Sequence, residues 1–361
     1  MQRIKTALTW LGVWTLLMWS ASGIVRTQGV FTQLMIPNGI SVDAPGNVYI
    51  HSGGGSTTLL TKVTPDGSEL LQISLGDPPI DYLRFVESHL AIDPDPQLDR
   101  LYLLSPEGDL LFFIASTLEE IGRLNIQELA AVDTTAVYDV ATSGTTSNFA
   151  LSPYATFGDI AVSRPISGAN TASWFVTGIS NGMAFVMRIP MQNSPYEVSG
   201  AKVILVSTLV SPMSLDRPRG VAVKDADVLT TLPLLASNSA CPDVVIRFSA
   251  TASSLSQSYV SDLSGTAGMP SWGMSADANG FYLTIGGMQN ADCWQGGRGS
   301  LAFMPASLTG ITKTVSLPAS ADGRPGDVSV GSNPAVAYVT VPDYNTVLRF
   351  SLQEVLSLPL P

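Results

Sequence analysis

Charge, histidine and cysteine are all scarce in this chain. Of its 361 residues only 13% are charged, with 18 Lys and Arg against 29 Asp and Glu, giving a net charge of −11. No basic run occurs beyond Arg3 and Lys5. An acidic surface repels phosphate backbones, which argues against nucleic acid as a partner. With two His and two Cys in all, a Cys/His zinc site is not expected. The sequence has no H-E-x-x-H, no P-loop and no G-x-S-x-G, so the enzyme classes that those motifs mark are unsupported. There is no Asn-x-Ser/Thr acceptor for N-glycosylation. After the N-terminus no stretch approaches the ~20 apolar residues that a membrane helix needs.

The N-terminus reads as an export signal. Arg3 and Lys5 precede an apolar stretch from Ala7 to Trp19, and Ser20, Ala21, Ser22 and Gly23 follow. Ala21 and Gly23 suit cleavage before Ile24, giving a signal peptide over 1–23 and a mature domain over 24–361. The competing reading is a retained anchor. Export implies a secreted, periplasmic or cell-surface protein. In such a compartment Cys241 and Cys293 are expected to pair, closing a 52-residue separation. Chain entropy makes such a bridge worth about 4 kcal/mol.

Turn formers are abundant, with 32 Gly and 24 Pro. Between them lie short runs of Val, Ile, Thr, Tyr and Phe, the pattern of an all-β protein. One motif recurs six times: Gly, His or Asp, a large apolar residue, Ser or Ala, then a small apolar residue. The copies begin at Gly39, His89, Asp159, Gly220, Gly273 and Asp327. Asp follows it at Asp43, Asp93 and Asp277. Repeats 50 to 70 residues apart imply a solenoid or a propeller. Second strands follow, such as Asn47 to Ile50 and Arg100 to Leu104. Third strands end in a basic–apolar pair: Lys62-Val63, Arg188-Ile189, Arg247-Phe248 and Arg349-Phe350. Turn signals come next, as in Pro65-Asp66-Gly67 and Ala115-Ser116-Thr117-Leu118, and then a fourth strand. The expected fold is all-β: a six-bladed β-propeller of four-stranded antiparallel blades. Gly29 to Ile36, ahead of the first motif, is expected to complete the last blade and close the ring, with Val355 to Pro361 as its competitor. Small residues at the third motif position let the six inner strands converge. Thr117 and Glu120 fit a capping box for a short helical turn. Residues 125 to 156, the longest interval, read as a blade connection, a lid over the channel or a surface insertion packed by its own aromatics.

The Gly220-Val221-Ala222-Val223 start and the stretch Asp343-Tyr344-Asn345-Thr346-Val347-Leu348-Arg349-Phe350 resemble the NHL-repeat family of propellers. The resemblance is spread over residues 30 to 352 and implies fold more than function. Glu87-Ser88 looks like the channel acid of the gluconolactonase-like propellers, which hold calcium with Glu, Asn and Asp. His89-Leu90 follows where that family has an aromatic, so its metal site is not carried over.

In such blades the inter-blade connections and the loops between second and third strands share one face, called the connection face below. The candidate ligand-binding residues on it are His51, Glu87, His89, Asp159, Arg219, Trp272 and Asp327. The histidines and carboxylates suit a metal or acid/base role. The bland alternative has His89 capping a strand and His51 in a solvated Gly-rich loop. Arg219 suits an anion or a neighbouring carboxylate. Trp272, Trp294 and Tyr344 would together make an aromatic patch. The favoured function is a non-catalytic module for a protein, peptide or carbohydrate ligand, acting through connection-face loops. The alternative is a metal-dependent hydrolase or lactonase, and a quinone-dependent redox enzyme ranks third. No cofactor is predicted; calcium is the cation considered.

Overall fold

The computed structural model describes residues 27–34, 36–54, 57–75, 88–129, 132–135, 137–139, 144–146, 149–164, 172–191, 200–208, 220–225, 227–233, 243–249, 259–262, 271–288, 296–307, 311, 313–318, 325–332 and 335–357. Residues 1–23, read above as a signal peptide, and Cys241 and Cys293, expected to pair, lie outside them.

Each motif copy opens the innermost strand of a blade. Blade 1 comprises Pro37–Val42, Val48–Gly54, Thr57–Val63 and Glu69–Ser74. Blade 2 comprises His89–Ile92, Arg100–Leu104, Asp109–Ile114 and Glu119–Asn125. The inner, second, third and outer strands of blade 3 are Thr156–Ser163, Ser173–Ser180, Met183–Pro190 and Lys202–Thr208. Those of blade 4 are Val221–Lys224, Asp227–Pro233, Asp243–Ser249 and Tyr259–Asp262. Blade 5 has Ser271–Ala276, Gly280–Met288, Gly296–Pro305 and Lys313–Ser316. Blade 6 has Val328–Ser332, Ala335–Val341 and Thr346–Ser351, and its outer strand is the N-terminal Thr27–Gln33. The protein is a six-bladed β-propeller closed by its N-terminal strand.

The strands read as continuous apolar runs because both faces of every blade are covered. The buried side chains fall into six clusters, and each lies between two neighbouring blades. Tyr49 and Leu60 of blade 1 pack against Leu90, Leu101 and Phe113 of blade 2. Trp174 of blade 3 meets Tyr102 and Phe112 of blade 2 edge-on, at 5.5 Å from each ring, a geometry that aromatic quadrupoles favour.

The recurrent small motifs stitch blades together. Ser41 Oγ accepts from the Ile92 amide of the next blade at 3.0 Å, and Ser275 Oγ accepts from Val330. These hydroxyls occupy the otherwise unpaired edges of the inner strands. The basic residue ending a third strand reaches the turn after the next blade's third strand. Lys62 donates to the Ala115 and Ser116 carbonyls, Arg247 to Ala306 and Arg349 to Pro65. The aspartates after the motif accept from a tyrosine on the second strand: Asp43 from Tyr49, Asp93 from Tyr102 and Asp277 from Tyr282.

Closure uses the NHL-like stretch. Asn345, in the left-handed region at φ 51°, accepts from Ile36 N through Oδ1 and from Leu34 N through its carbonyl. Leu352–Ser357 forms a short helix, so the C-terminal segment does not supply the closing strand.

Three expectations are corrected. Residues 119–125 are the outer strand of blade 2, and no helix forms from the Thr117 capping box; Thr117 Oγ1 accepts only from Glu119 N. Blade 3 has six strands, because Val137–Asp139 adds in parallel to Lys202–Thr208 and pairs in turn with Gly144–Thr146. The described part of the long interval therefore extends an outer edge and does not cover the channel. Phe149 and Phe157 from this region are buried against Phe185 of the blade's own third strand, and Tyr154 is exposed, so the interval packs on the blade and not on its own aromatics. His51 lies in a strand and is fully buried, where a solvated loop was the expected setting.

Candidate functional site

The six first motif residues ring the channel in the order Gly39, His89, Asp159, Gly220, Gly273, Asp327. The glycines there are dictated by space. A Cβ on Gly273 would stand 2.5 Å from Asp327 Cα, and one on Gly39 would stand 2.5 Å from the Ser88 carbonyl oxygen. With no side chain on Gly39 between blades 6 and 2, His89 reaches past blade 1. Its Nδ1 lies 3.5 Å from Asp327 and 3.3 Å from Asp159 of blade 3. Neither contact has hydrogen-bond geometry, and Nδ1 has no hydrogen-bond partner among the described residues.

The carboxylates are held firmly. Asp159 accepts from Ile160 N and, on its other oxygen, from Val221 N of blade 4, both at 2.8 Å. Asp327 accepts from Val328 N at 2.7 Å and from Ile40 N of blade 1 at 3.1 Å. Each thus ties its own inner strand to the next. Behind them a threonine on the second strand accepts from the first motif amide: Thr177 from Asp159, Thr284 from Gly273 and Thr340 from Asp327. In blade 1 the ladder puts His51 at that position, one residue beyond Ile50, which pairs with Ile40. Side chains alternate along a strand, so His51 shares the face of Tyr49 and points toward blade 2. Both its nitrogens, with Ser52 Oγ and Ser88 Oγ, are buried without hydrogen-bond partners among the described residues.

Burial works against the charge of His89, but Asp159 and then Asp327 outweigh it and hold its pKa well above the ordinary imidazole value. Burial raises the Asp159 carboxyl, the charge of Asp327 adds to this, and His89 opposes it. Burial, reinforced by His89, pushes His51 down to about 3. At neutral pH His89 carries the positive charge and His51 is neutral.

A cavity of about 520 Å3 occupies the channel, bounded by Asp159 and Asp327 at one end and by the turns between first and second strands at the other. Its walls are the small third-position residues, including Ser41, Ala91, Ala161 and Ser275, and its rim carries Asp43, Asp93, Asp95, Asp99 and Asp277 against Arg100 and Arg164. This cavity reaches the face opposite the connection loops. Sequence reasoning noted Asp43, Asp93 and Asp277 only as part of the repeat and placed the candidate site on the opposite face.

Of the sequence candidates, the fold brings together His89, Asp159 and Asp327 and sets His51 beside them. Trp272 opens the inner strand of blade 5. Tyr344 is 43% exposed on the turn after the second strand of blade 6. Glu87, Arg219 and Trp294 lie outside the described residues. The unpartnered imidazole of His51 was legible only as a departure, a histidine where four other blades carry threonine.

No family model matches the sequence, and no curated protein matches it. Solved structures do. A luciferin-regenerating enzyme aligns with a TM-score of 0.53 at 10% identity over 91% of this chain and 95% of its own. The β-propeller domain of Cps50 (Swd1) from Myceliophteria thermophila aligns at 0.51 and 6% identity, over 91% and 99%. The aldose sugar dehydrogenase of Streptomyces coelicolor, in its PQQ-bound form, aligns at 0.50 and 10% identity, over 91% and 97%. These neighbours include enzymes and a domain with no activity in its name, and at such identities the likeness shows the shared β-propeller fold alone.

Proposed function

We propose that this protein is an exported, non-catalytic binding module whose central channel takes a small ligand, or the side chain of a peptide, that carries a positive charge. The observation behind this reading is the channel cavity. Its volume of about 520 Å3 falls in the range of small-molecule sites, roughly 300–1,000 Å3. Its rim has five carboxylates against two guanidinium groups, so the field at the mouth attracts cations. Asp43, Asp93 and Asp277 each accept a hydrogen bond from a tyrosine, which fixes their positions. Neither nitrogen of His51 nor Nδ1 of His89 is hydrogen-bonded to a hydroxyl or thiol among the described residues, so at these atoms no nucleophile is paired with a base. Binding through the channel replaces the connection-face route in this proposal.

The test is calorimetry of the purified protein against matched panels of small amines and carboxylates, with the channel-filling variant Ala91→Trp as control. Amines are expected to bind, more weakly at high salt, and to be lost in the variant. Preference for carboxylates, or equal binding in a folded Ala91→Trp protein, refutes the channel reading. Chemical conversion of the bound ligand, followed by NMR, refutes the non-catalytic one and favours the hydrolase.

A further inference from the structure

His89, Asp159 and Asp327 come from blades 2, 3 and 6 and meet at the channel axis, with one ligand atom from each within 4.8 Å of the others. Two distances identify what the arrangement suits. The His89 Nδ1 separations of 3.3 and 3.5 Å are long for a charge-assisted hydrogen bond, which closes to about 2.7–2.9 Å. They are close to the spacing between ligands on a tetrahedral first-row metal, where bonds of about 2.0–2.1 Å put neighbouring ligand atoms about 3.3–3.4 Å apart, and the two carboxylate oxygens lie within 4.8 Å of each other. The carboxylates are already oriented, because each oxygen accepts one backbone amide and retains a further lone pair. Outer hydrogen bonds of this kind fix ligand direction in metal centres.

A second, independent observation comes from blade 1. His51 is fully buried, faces blade 2 and interacts electrostatically with His89, and both of its nitrogens lack hydrogen-bond partners among the described residues. Buried polar atoms without partners are rare and call for a bound water, an ion or a functional role. At this position four other blades place a threonine; the hydroxyls of Thr177, Thr284 and Thr340 are satisfied, and that of Thr231 in blade 4 is buried without a partner among the described residues. The imidazole therefore stands where a hydroxyl would serve the fold, and its nitrogens remain available.

We infer that His89, Asp159 and Asp327 bind one divalent first-row transition metal at the channel axis, beside the buried imidazole of His51. Imidazole and carboxylate together select zinc, cobalt or nickel over calcium, which takes oxygen ligands only. Such an ion would replace the imidazolium proton in offsetting the two buried carboxylates, and would pin blades 2, 3 and 6 across the ring. This inference stands independently of the ligand proposed for the cavity.

The chain contains only two histidines, which makes a direct test possible. Full-length protein without an affinity tag is stripped with chelator, then titrated with Zn2+, Co2+ and Ca2+ separately. Imidazole resonances are followed by NMR, and Co2+ absorption is recorded. One equivalent of Zn2+ is expected to shift the His89 and His51 signals, Co2+ to give the intense visible bands of a four-coordinate site, and Ca2+ to leave both signals in place. His89→Gln, checked for folding by circular dichroism, is expected to weaken Zn2+ binding at least 100-fold. Imidazole signals unmoved by stoichiometric Zn2+, or signals that respond to Ca2+ alone, overturn the inference. The NMR readout on the unmutated protein holds even if the variant does not fold.

Discussion

Replacing His51 with Leu should change how stability depends on pH, and the size of the change follows from burial. In the folded chain burial lowers His51 to about 3, from 6.5 for an ordinary imidazole. Below pH 6.5 the unfolded chain takes up a proton at this residue and the folded chain does not. Its contribution is therefore complete above pH 6.5 and is lost as the pH falls from 6.5 toward 3. Each pH unit in that window costs about 1.4 kcal/mol, so acidification from pH 6.5 to 5 removes about 2 kcal/mol through this residue. His51→Leu lacks that proton site, while every other titrating group is common to both proteins and largely cancels in the difference. At pH 7.5 the variant also removes two buried nitrogens without partners, which favours it by about 1–3 kcal/mol. Urea unfolding with chelator present, at pH 7.5, 6.0 and 5.0, measures the effect. At a slope of about 3 kcal/mol/M, the midpoint difference between variant and wild type should widen by about 0.7 M toward pH 5. Parallel midpoints across this range would refute the reasoning, because a buried neutral imidazole cannot be silent to pH in the unfolding equilibrium.

Four further outcomes test the ring. Gly273→Ala should destabilise the protein by about 1–3 kcal/mol, since its Cβ meets Asp327 Cα and the Val328 amide at 2.5 and 2.8 Å. Gly182→Ala has open space around it but φ at +75°, so the left-handed backbone alone should cost about 1–2 kcal/mol, read beside Gly273→Ala by thermal unfolding. Asn345→Ala removes the side-chain acceptor for Ile36 N and should cost about 1–2 kcal/mol, seen as faster amide exchange in residues 27–33 than elsewhere in blade 6. Tyr102→Phe, which leaves buried Asp93 without its 2.7 Å phenolic donor, should lose about 1.5–3 kcal/mol in urea unfolding; no loss would mean that the Asp–Tyr pairs are incidental to blade stability.

The blade count, the inner strands and the closing role of the N-terminal strand were legible along the chain. A propeller blade is a local four-strand unit, so its turn chemistry and apolar runs repeat in linear order, and Gly39, Gly220 and Gly273 mark the crowded axis directly. The same holds for the basic–apolar ends of the third strands at Lys62, Arg247 and Arg349, although their acceptors, carbonyls one blade away, were not. The outer edge of blade 3 was hidden because Val137–Asp139 pairs in parallel with a strand more than 60 residues later. No local pattern announces such a partner. His51 was misplaced because Gly53-Gly54-Gly55 reads as a loop, whereas pairing with Thr57–Val63 carries the strand through Gly54.

By itself the sequence determined the closed ring of six repeats, an acidic surface and the residue types at each blade's start. Only the tertiary structure decided that His89, Asp159 and Asp327 meet. They stand 70 and 168 residues apart, and ring closure alone carries blade 6 back to blades 1 and 2, where a glycine leaves an imidazole room to cross. Two aspartates and a histidine at equivalent repeat positions could equally have faced separate solvent-filled sectors of a wider ring. The small radius of six blades makes them one buried cluster.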